Sequence, residues 1–350
     1  MSDLPEIGKI SPEIFDEMIY PKLGTVNKAV LVGPQHGVDI GVVDLGNGKV
    51  MVTTTDPVFI VPDYGWERAA WFALHILVSD VVTSGLKPSY LTIDLNLPLS
   101  VTKEELGKLW GTIASECSRM GITVISGHTA KYAGCNFPMV GGATVIAIGD
   151  KDKYVTPRDA KPGDKIIITK GAAIEAAGLF AVTFEDKIRK KFGDAFAVRA
   201  ADIFYKMSVV EDALTAASVG VREHGVTSMH DATECGIWGG LYEMAQASKT
   251  GMRINKEAIL LQPEVKTICG EFGMDPYTAI SEGTLLITAK ANKAEAVVAA
   301  LKAKNIASSI VGDVVEKPGV IIIDKTFEKM LEHPRVDPFW AAFEREMGTK

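Results

Sequence analysis

Cysteine is sparse: four residues in 350, at positions 117, 135, 235 and 269, with no Cys-x-x-Cys pair. That spacing argues against a zinc site or a disulfide framework and predicts a reduced, cytoplasmic setting. No apolar run is long enough to cross a bilayer, so no membrane partner is expected. Met1 to Lys9 is polar and acidic, without the apolar core of a signal peptide. Positive charge is in deficit, with 37 Lys and Arg against 44 Asp and Glu and a net charge of -7. Nucleic-acid binding driven by a basic surface is therefore not expected. The phosphate loop GxxxxGK[ST] is absent. What remains is a globular composition, 47% hydrophobic and 23% charged, long enough for two domains.

Two β-branched, apolar runs stand out, Val38 to Leu45 and Val50 to Pro57. Asn47-Gly48 between them predicts a hairpin with a tight turn. Antiparallel pairing then carries Asp39, at the start of the first strand, and Asp56, at the end of the second, to one sheet edge. Like charges so close repel, and a divalent cation with a taste for oxygen, such as magnesium, would resolve the conflict. Read alone, Asp56-Pro57 also ends a strand at a turn. Gly65 to Gly85 predicts a long, mostly buried helix interrupted by Ser79 and Asp80. A buried Asp needs a partner. Either a local hydrogen bond supplies it or Asp80 is a third acid aimed at the same edge.

Farther on, Ser11 to Leu23 and Lys103 to Met120 predict amphipathic helices. Tyr90 to Leu97, Ile122 to Ile125 and Met139 to Gly149 predict strands, with Gly127, His128 and Thr129 at a strand end. Thr156 to Gly163, polar and with two prolines, reads as a domain boundary, giving domains 1–155 and 156–350. Strands and helices alternate in the second half too. There, Lys170-Gly171 follows a strand and enters a helix, a setting that can hold an anion on backbone N–H groups. His230-Asp231-Ala232-Thr233-Glu234-Cys235-Gly236 is a strand end running into a glycine-rich helix start. It suits a phosphate or metal-phosphate contact, or simply a capped helix.

Taken in order, Asp39, Thr-Thr-Asp56, Ser79-Asp80, Gly127-His128-Thr129 and the run from His230 to Gly236 resemble one superfamily. It comprises aminoimidazole-ribonucleotide (AIR) synthetase (PurM), thiamine-monophosphate kinase, selenophosphate synthetase and the hydrogenase-maturation protein HypE. Gly8 to Glu13, Pro162 to Asp164 and Ser281 to Thr284 add to the likeness, which is strongest for the HypE-like, AIR synthase-related branch. The resemblance implies an α/β (α+β) PurM-like protein of two domains, its N-terminal sheet forming a barrel across a homodimer, its C-terminal domain also α/β. It implies ATP and Mg2+ as cofactors. Asp39, Asp56, Asp80 and Asp231 would hold metal. His128, Thr129, Lys170, Thr233 and Gly236 would join them around the nucleotide, with Asp231 and His128 as catalytic groups. The implied reaction phosphorylates or dehydrates an oxygen of a small-molecule or protein-borne acceptor. The alternative is a non-catalytic nucleotide-binding subunit of a metalloenzyme maturation complex.

Several positions depart from the family pattern. Val38 stands where a second acid is usual, Ser79 replaces Asn, and Cys235 replaces a glycine. The cysteine-bearing tail of HypE is missing. Phe339, Trp340 and Phe343 instead predict one apolar face of a docking helix, and Cys235 at a helix start is the nearest thiol to Asp231.

Overall fold

The structure is a computed structural model that describes residues 10–325 and 327–348; Gly8 and Lys9 of the N-terminal motif lie outside them. Its strands are β1 (Val30–Val32), β2 (Gly41–Gly46), β3 (Lys49–Phe59), β4 (Pro88–Leu97), β5 (Thr123–Lys131), β6 (Met139–Asp150), β7 (Lys165–Thr169), β8 (Val226–Asp231), β9 (Gly251–Asn255), β10 (Leu285–Ala289), β11 (Ser308–Val315), β12 (Gly319–Asp324) and β13 (Phe327–Met330). Among the described residues they form two sheets, ordered β1-β2-β3-β6-β4-β5 and β13-β12-β9-β11-β7-β10-β8. Pairing is antiparallel except for β4 with β5 and β9 with β12. The helices are α1 (Pro12–Ile14), α2 (Trp66–Val82), α3 (Lys103–Met120), α4 (Ile174–Thr183), α5 (Glu185–Phe192), α6 (Asp194–Ala201), α7 (Val210–Ser218), α8 (Gly236–Ser248), α9 (Pro263–Phe272), α10 (Ala294–Ala303) and α11 (Pro338–Met347). None is long and apolar enough to cross a membrane among the described residues.

The expected hairpin forms: Gly41 pairs with Thr53 and Gly46 with Lys49. Asn47 and Gly48 both take positive φ, 51° and 73°, which the tight turn requires. Its ends differ from expectation. β3 continues through Pro57 to Phe59, so Asp56 sits within a strand and pairs with Ala143 of β6. The N-terminal segment is not one helix either. It breaks into α1, a π-turn at Phe15–Ile19 and a 3-10 turn at Tyr20–Lys22, because Pro21 lacks the N–H that would continue the ladder.

Helix α2 carries the architecture. Twelve of its residues are buried, from Ala69 to Val82. It packs on β3 and β6 on one side and on α7 and β8 on the other. One hydrophobic core consequently runs from Val52, Leu77 and Val145 of the first half to Ala213, Met229 and Leu285 of the second. The other face of the first sheet is open: Tyr90, Ile125, Met139 and Ile148 are all more than a third exposed. At the C-terminus, Phe339 is buried and stacks on Phe343, beside Phe180. Trp340, expected on the same apolar face, points outward at 41% exposure. One residue on from Phe339, it turns about 100° around the helix.

Candidate active site: a shared carboxylate cluster

Four acids reach one place from four elements. Asp39 precedes β2 and is held by its backbone, whose carbonyl accepts a hydrogen bond from Thr54 Oγ1 (3.0 Å). The turn before it packs tightly: a Cβ on Gly37 would lie 2.8 Å from the Glu243 carbonyl of α8. Asp56 lies on β3, on the α2 side of the sheet. Asp80 comes from α2 and is 8% exposed; Asp231 ends β8 and is 1% exposed. Thr54 is the hub: its Oγ1 lies 3.0 Å from Asp80 Oδ2 and 3.4 Å from Asp56 Oδ2. One hydroxyl has one proton to give. With that proton on the Asp39 carbonyl, Asp80 must itself be protonated to bond Thr54.

The electrostatics agree. Burial, with like charge from Asp231, Asp56 and Asp39, holds the Asp80 carboxyl well above the usual carboxylate range. Burial also raises Asp231, against the opposing pull of His230. His230 is the residue that sequence reading passed over. Its Nδ1 lies 3.4 Å from Asp39 Oδ2 and 3.7 Å from Asp231 Oδ1, while Nε2 bonds Glu243 Oε2 at 2.9 Å. Burial would lower its pKa, but the Glu243 hydrogen bond and the charges of Asp39 and Asp231 push it up to about 9. One imidazolium against this many carboxylates leaves the site short of positive charge. Asp39, His230 and Asp231 each place a ligand atom within 4.8 Å of the others. Asp231 Oδ2 is buried with no hydrogen-bond partner among the described residues. An oxygen-rich, charge-deficient, incompletely bonded donor set fits a hard divalent cation such as magnesium.

A second acid pair adjoins it. Glu175 of α4 accepts from the Glu282 N–H (2.9 Å), and burial pushes its pKa up to about 8. Glu282 is 1% exposed, and burial with like charge from Asp231 and Glu175 raises it as well. The signal for Glu175 is an acid set in the otherwise apolar start of α4, Ile-Glu-Ala-Ala.

Other expected residues stand apart. His128 lies on β5, which runs past Ile125 to Lys131 because its parallel pairing with β4 continues. It is three strands from β3, about 14 Å at the usual strand spacing. Register also turns it away. Asp56, Ala143, Ile93 and Gly127 form one row on the α2 face, whereas His128 pairs with Asp94 on the open face. Its Nε2 hydrogen-bonds Tyr132 OH at 2.9 Å. Thr129 shares that distant edge strand. Lys170 is tied down by Asp212 Oδ1 (2.8 Å) and the carbonyls of Ser208 and Gly283 (2.7 Å each), so its ammonium is not turned to the acids. Near Thr233, the start of α8 is already engaged. Cys235 N bonds Asp337 Oδ2 (2.7 Å), Gly236 N bonds the Thr233 carbonyl and Trp238 N the Tyr277 carbonyl. The amides of Cys235, Gly236 and Trp238 are thus taken up within the protein rather than offered to phosphate.

Two α/β sheets that share one helix and close on a carboxylate cluster define a two-lobed protein whose site belongs to both lobes. The AIR synthase related protein family supplies matching models, its N-terminal domain over residues 37–154 and its C-terminal domain over residues 161–325. This chain belongs to that family. Carbamoyl dehydratase HypE of Rhizobium leguminosarum bv. viciae is 26% identical over 276 residues, 77% of this chain and 74% of that protein. The selenide, water dikinase of Photobacterium profundum is 26% identical over 260 residues, 73% of this chain and 70% of its own. A crystal structure of hydrogenase maturation protein HypE in complex with ATP has a TM-score of 0.64 at 19% identity, covering 93% of both chains. That last likeness is one of fold.

Proposed function

We propose that this chain is an ATP- and Mg2+-dependent enzyme that phosphorylates or dehydrates an oxygen of a small-molecule or protein-borne acceptor. The observation that carries the proposal is the convergence of Asp39, Asp56, Asp80 and Asp231, drawn from both lobes, with more negative charge than their surroundings balance. The relatives named for a dehydratase and a dikinase, and the related fold solved with ATP, support it. These four acids would hold the cation, which when bound neutralises charge developing on transferring phosphates. The remaining chemistry belongs to the chain. Burial and like charge raise the pKa values of Asp80 and Asp231, and Thr54 Oγ1 fixes the orientation of the Asp80 carboxyl. His230, locked by Glu243 through Nε2, presents Nδ1 to Asp39 and Asp231 and holds them in place by charge.

The open face of the first sheet, with Tyr90, Ile148 and Met139 exposed, supports a homodimer formed through that sheet. Light scattering at micromolar concentration tests it: twice the chain mass is expected, and a monomer refutes it. A second reading has its own observation. Val38, buried beside Asp39, removes one acid from the family's pair, which favours a nucleotide-binding subunit without turnover. Phosphate release with ATP, Mg2+ and a panel of carboxamide, alcohol and amine acceptors decides between the two. Release stimulated by an acceptor supports the enzyme. ATP binding without release from any acceptor supports the subunit.

A further inference from the structure

A second constellation lies on the far side of α2, in a cleft of about 1060 Å³ between the two lobes. Ser208, just ahead of α7, places Oγ 2.7 Å from His75 Nδ1. His75 Nε2 lies 3.1 Å from Glu116 Oε2 of α3. All three side chains line the cleft. The proton positions follow from the partners. A carboxylate can only accept, so Nε2 carries the imidazole N–H and gives it to Glu116. Neutral imidazole then has Nδ1 as its acceptor, and the Ser208 O–H donates to it.

Each member is held from behind. Trp71 stacks on the His75 ring at 4.1 Å with 25° between planes. Arg119 grips Glu116 through Nε (3.0 Å) and Nη2 (2.5 Å). Lys170 bonds the Ser208 carbonyl, and Val210 N–H reaches Ser208 Oγ at 3.4 Å. Burial keeps His75 below its ordinary pKa, and the His75 and Arg119 contacts hold Glu116 at about 2. The base is therefore neutral and its orienting group charged near pH 7. None of this uses the carboxylate cluster.

We propose that Ser208, His75 and Glu116 form a nucleophilic acyl-transfer site for a small carboxylic ester or thioester. Ser208 Oγ bonds to the acyl carbon as its proton passes to His75 Nδ1, and Glu116 stabilises the imidazolium. The alkoxide or thiolate leaves with that proton. Water then adds to the acyl carbon by the same relay, releasing the acid and restoring Ser208. Helix α7 begins at Val210, and the amides nearest the nucleophile hold it in place: Val209 N–H bonds Ser79 Oγ (3.2 Å) and Val210 N–H bonds Ser208 Oγ.

The test is labelling of the full-length protein with an alkyl fluorophosphonate, whose P–F bond breaks as Ser Oγ bonds phosphorus. Intact mass and peptide mapping should show one adduct on Ser208. The adduct should be absent in Ser208→Ala and form at least ten-fold more slowly in His75→Asn and Glu116→Gln, with 4-nitrophenyl acetate hydrolysis falling in parallel. Ser208→Cys provides a second route: its thiol should alkylate with iodoacetamide faster than in the Ser208→Cys/His75→Asn double variant. No adduct on the wild-type chain, an adduct on another residue, or equal alkylation of the two cysteine variants would overturn the proposal. The trio would then be a latch between lobes, seen only as a lower melting temperature in His75→Asn.

Discussion

Replacing Thr54 by Val probes how the cluster is wired, because it removes one hydroxyl and little volume. Thr54 is 4% exposed. Its Oγ1 joins the Asp39 carbonyl, Asp80 and Asp56. The part-buried bond to the Asp39 carbonyl is worth about 0.5 to 1.5 kcal/mol net. The bond to buried Asp80 has no replacement, and an orphaned buried polar group costs about 1 to 3 kcal/mol. The methyl group gained offsets about 0.8 kcal/mol. A net loss of about 1 to 3 kcal/mol follows, measurable as a fall in the urea midpoint in metal-free buffer. The same substitution in an Asp80→Ala background should cost at least about 1 kcal/mol less, since the orphaned partner is gone. A Thr54→Val protein as stable as wild type, or costs that simply add in the double variant, would refute the proposed hub.

Glu175 has a folded pKa of about 8 against an ordinary 4.5, so the folded state binds its proton more tightly. Its contribution is fully present below about pH 4.5 and is lost as pH rises towards 8, at up to about 1.4 kcal/mol per unit. Glu175→Gln should flatten the stability profile in that window; an unchanged slope in urea melts refutes the buried-acid assignment. His230, raised to about 9, has the same sign at higher pH. His230→Gln should make stability less sensitive to pH between about 6.5 and 9. Cys235 is buried, donates its thiol to the Pro334 carbonyl at 2.5 Å and sits under Asp337. A thiol held in this way is not expected to take up a carbamoyl group. Incubation with ATP, carbamoyl phosphate and a carbamoyltransferase should leave the intact mass unchanged, and a gain that vanishes in Cys235→Ser would contradict it.

What could be read in advance was what alternation and breakers control. The hairpin and the buried helix carrying Asp80 follow from their apolar runs and the glycines that bound them. The differences lie where pairing partners decide. Local sequence ends β5 at Ile125, but β4 extends beside it to Leu97 and keeps it extended to Lys131. That turned His128 to the face opposite Asp56. The partners that hold Lys170, Asp212 and the carbonyls at 208 and 283, are 38 to 113 residues away and leave no local signature. His230 was hidden by strand logic, since neighbours on a strand point to opposite faces. It meets Asp39 and Asp231 because the Asp39 turn folds over the end of β8, a long-range arrangement with no local signature.

On the proposed function, the Asp39, Asp56, Asp80 and Asp231 cluster binds magnesium together with ATP. Titration calorimetry of ATP into the wild-type protein and Asp231→Asn, each with and without Mg2+, tests it most directly. Mg2+ should tighten ATP binding at least ten-fold in the wild type, about 1.4 kcal/mol, and much less in Asp231→Asn. Equal affinity in all four titrations would contradict it.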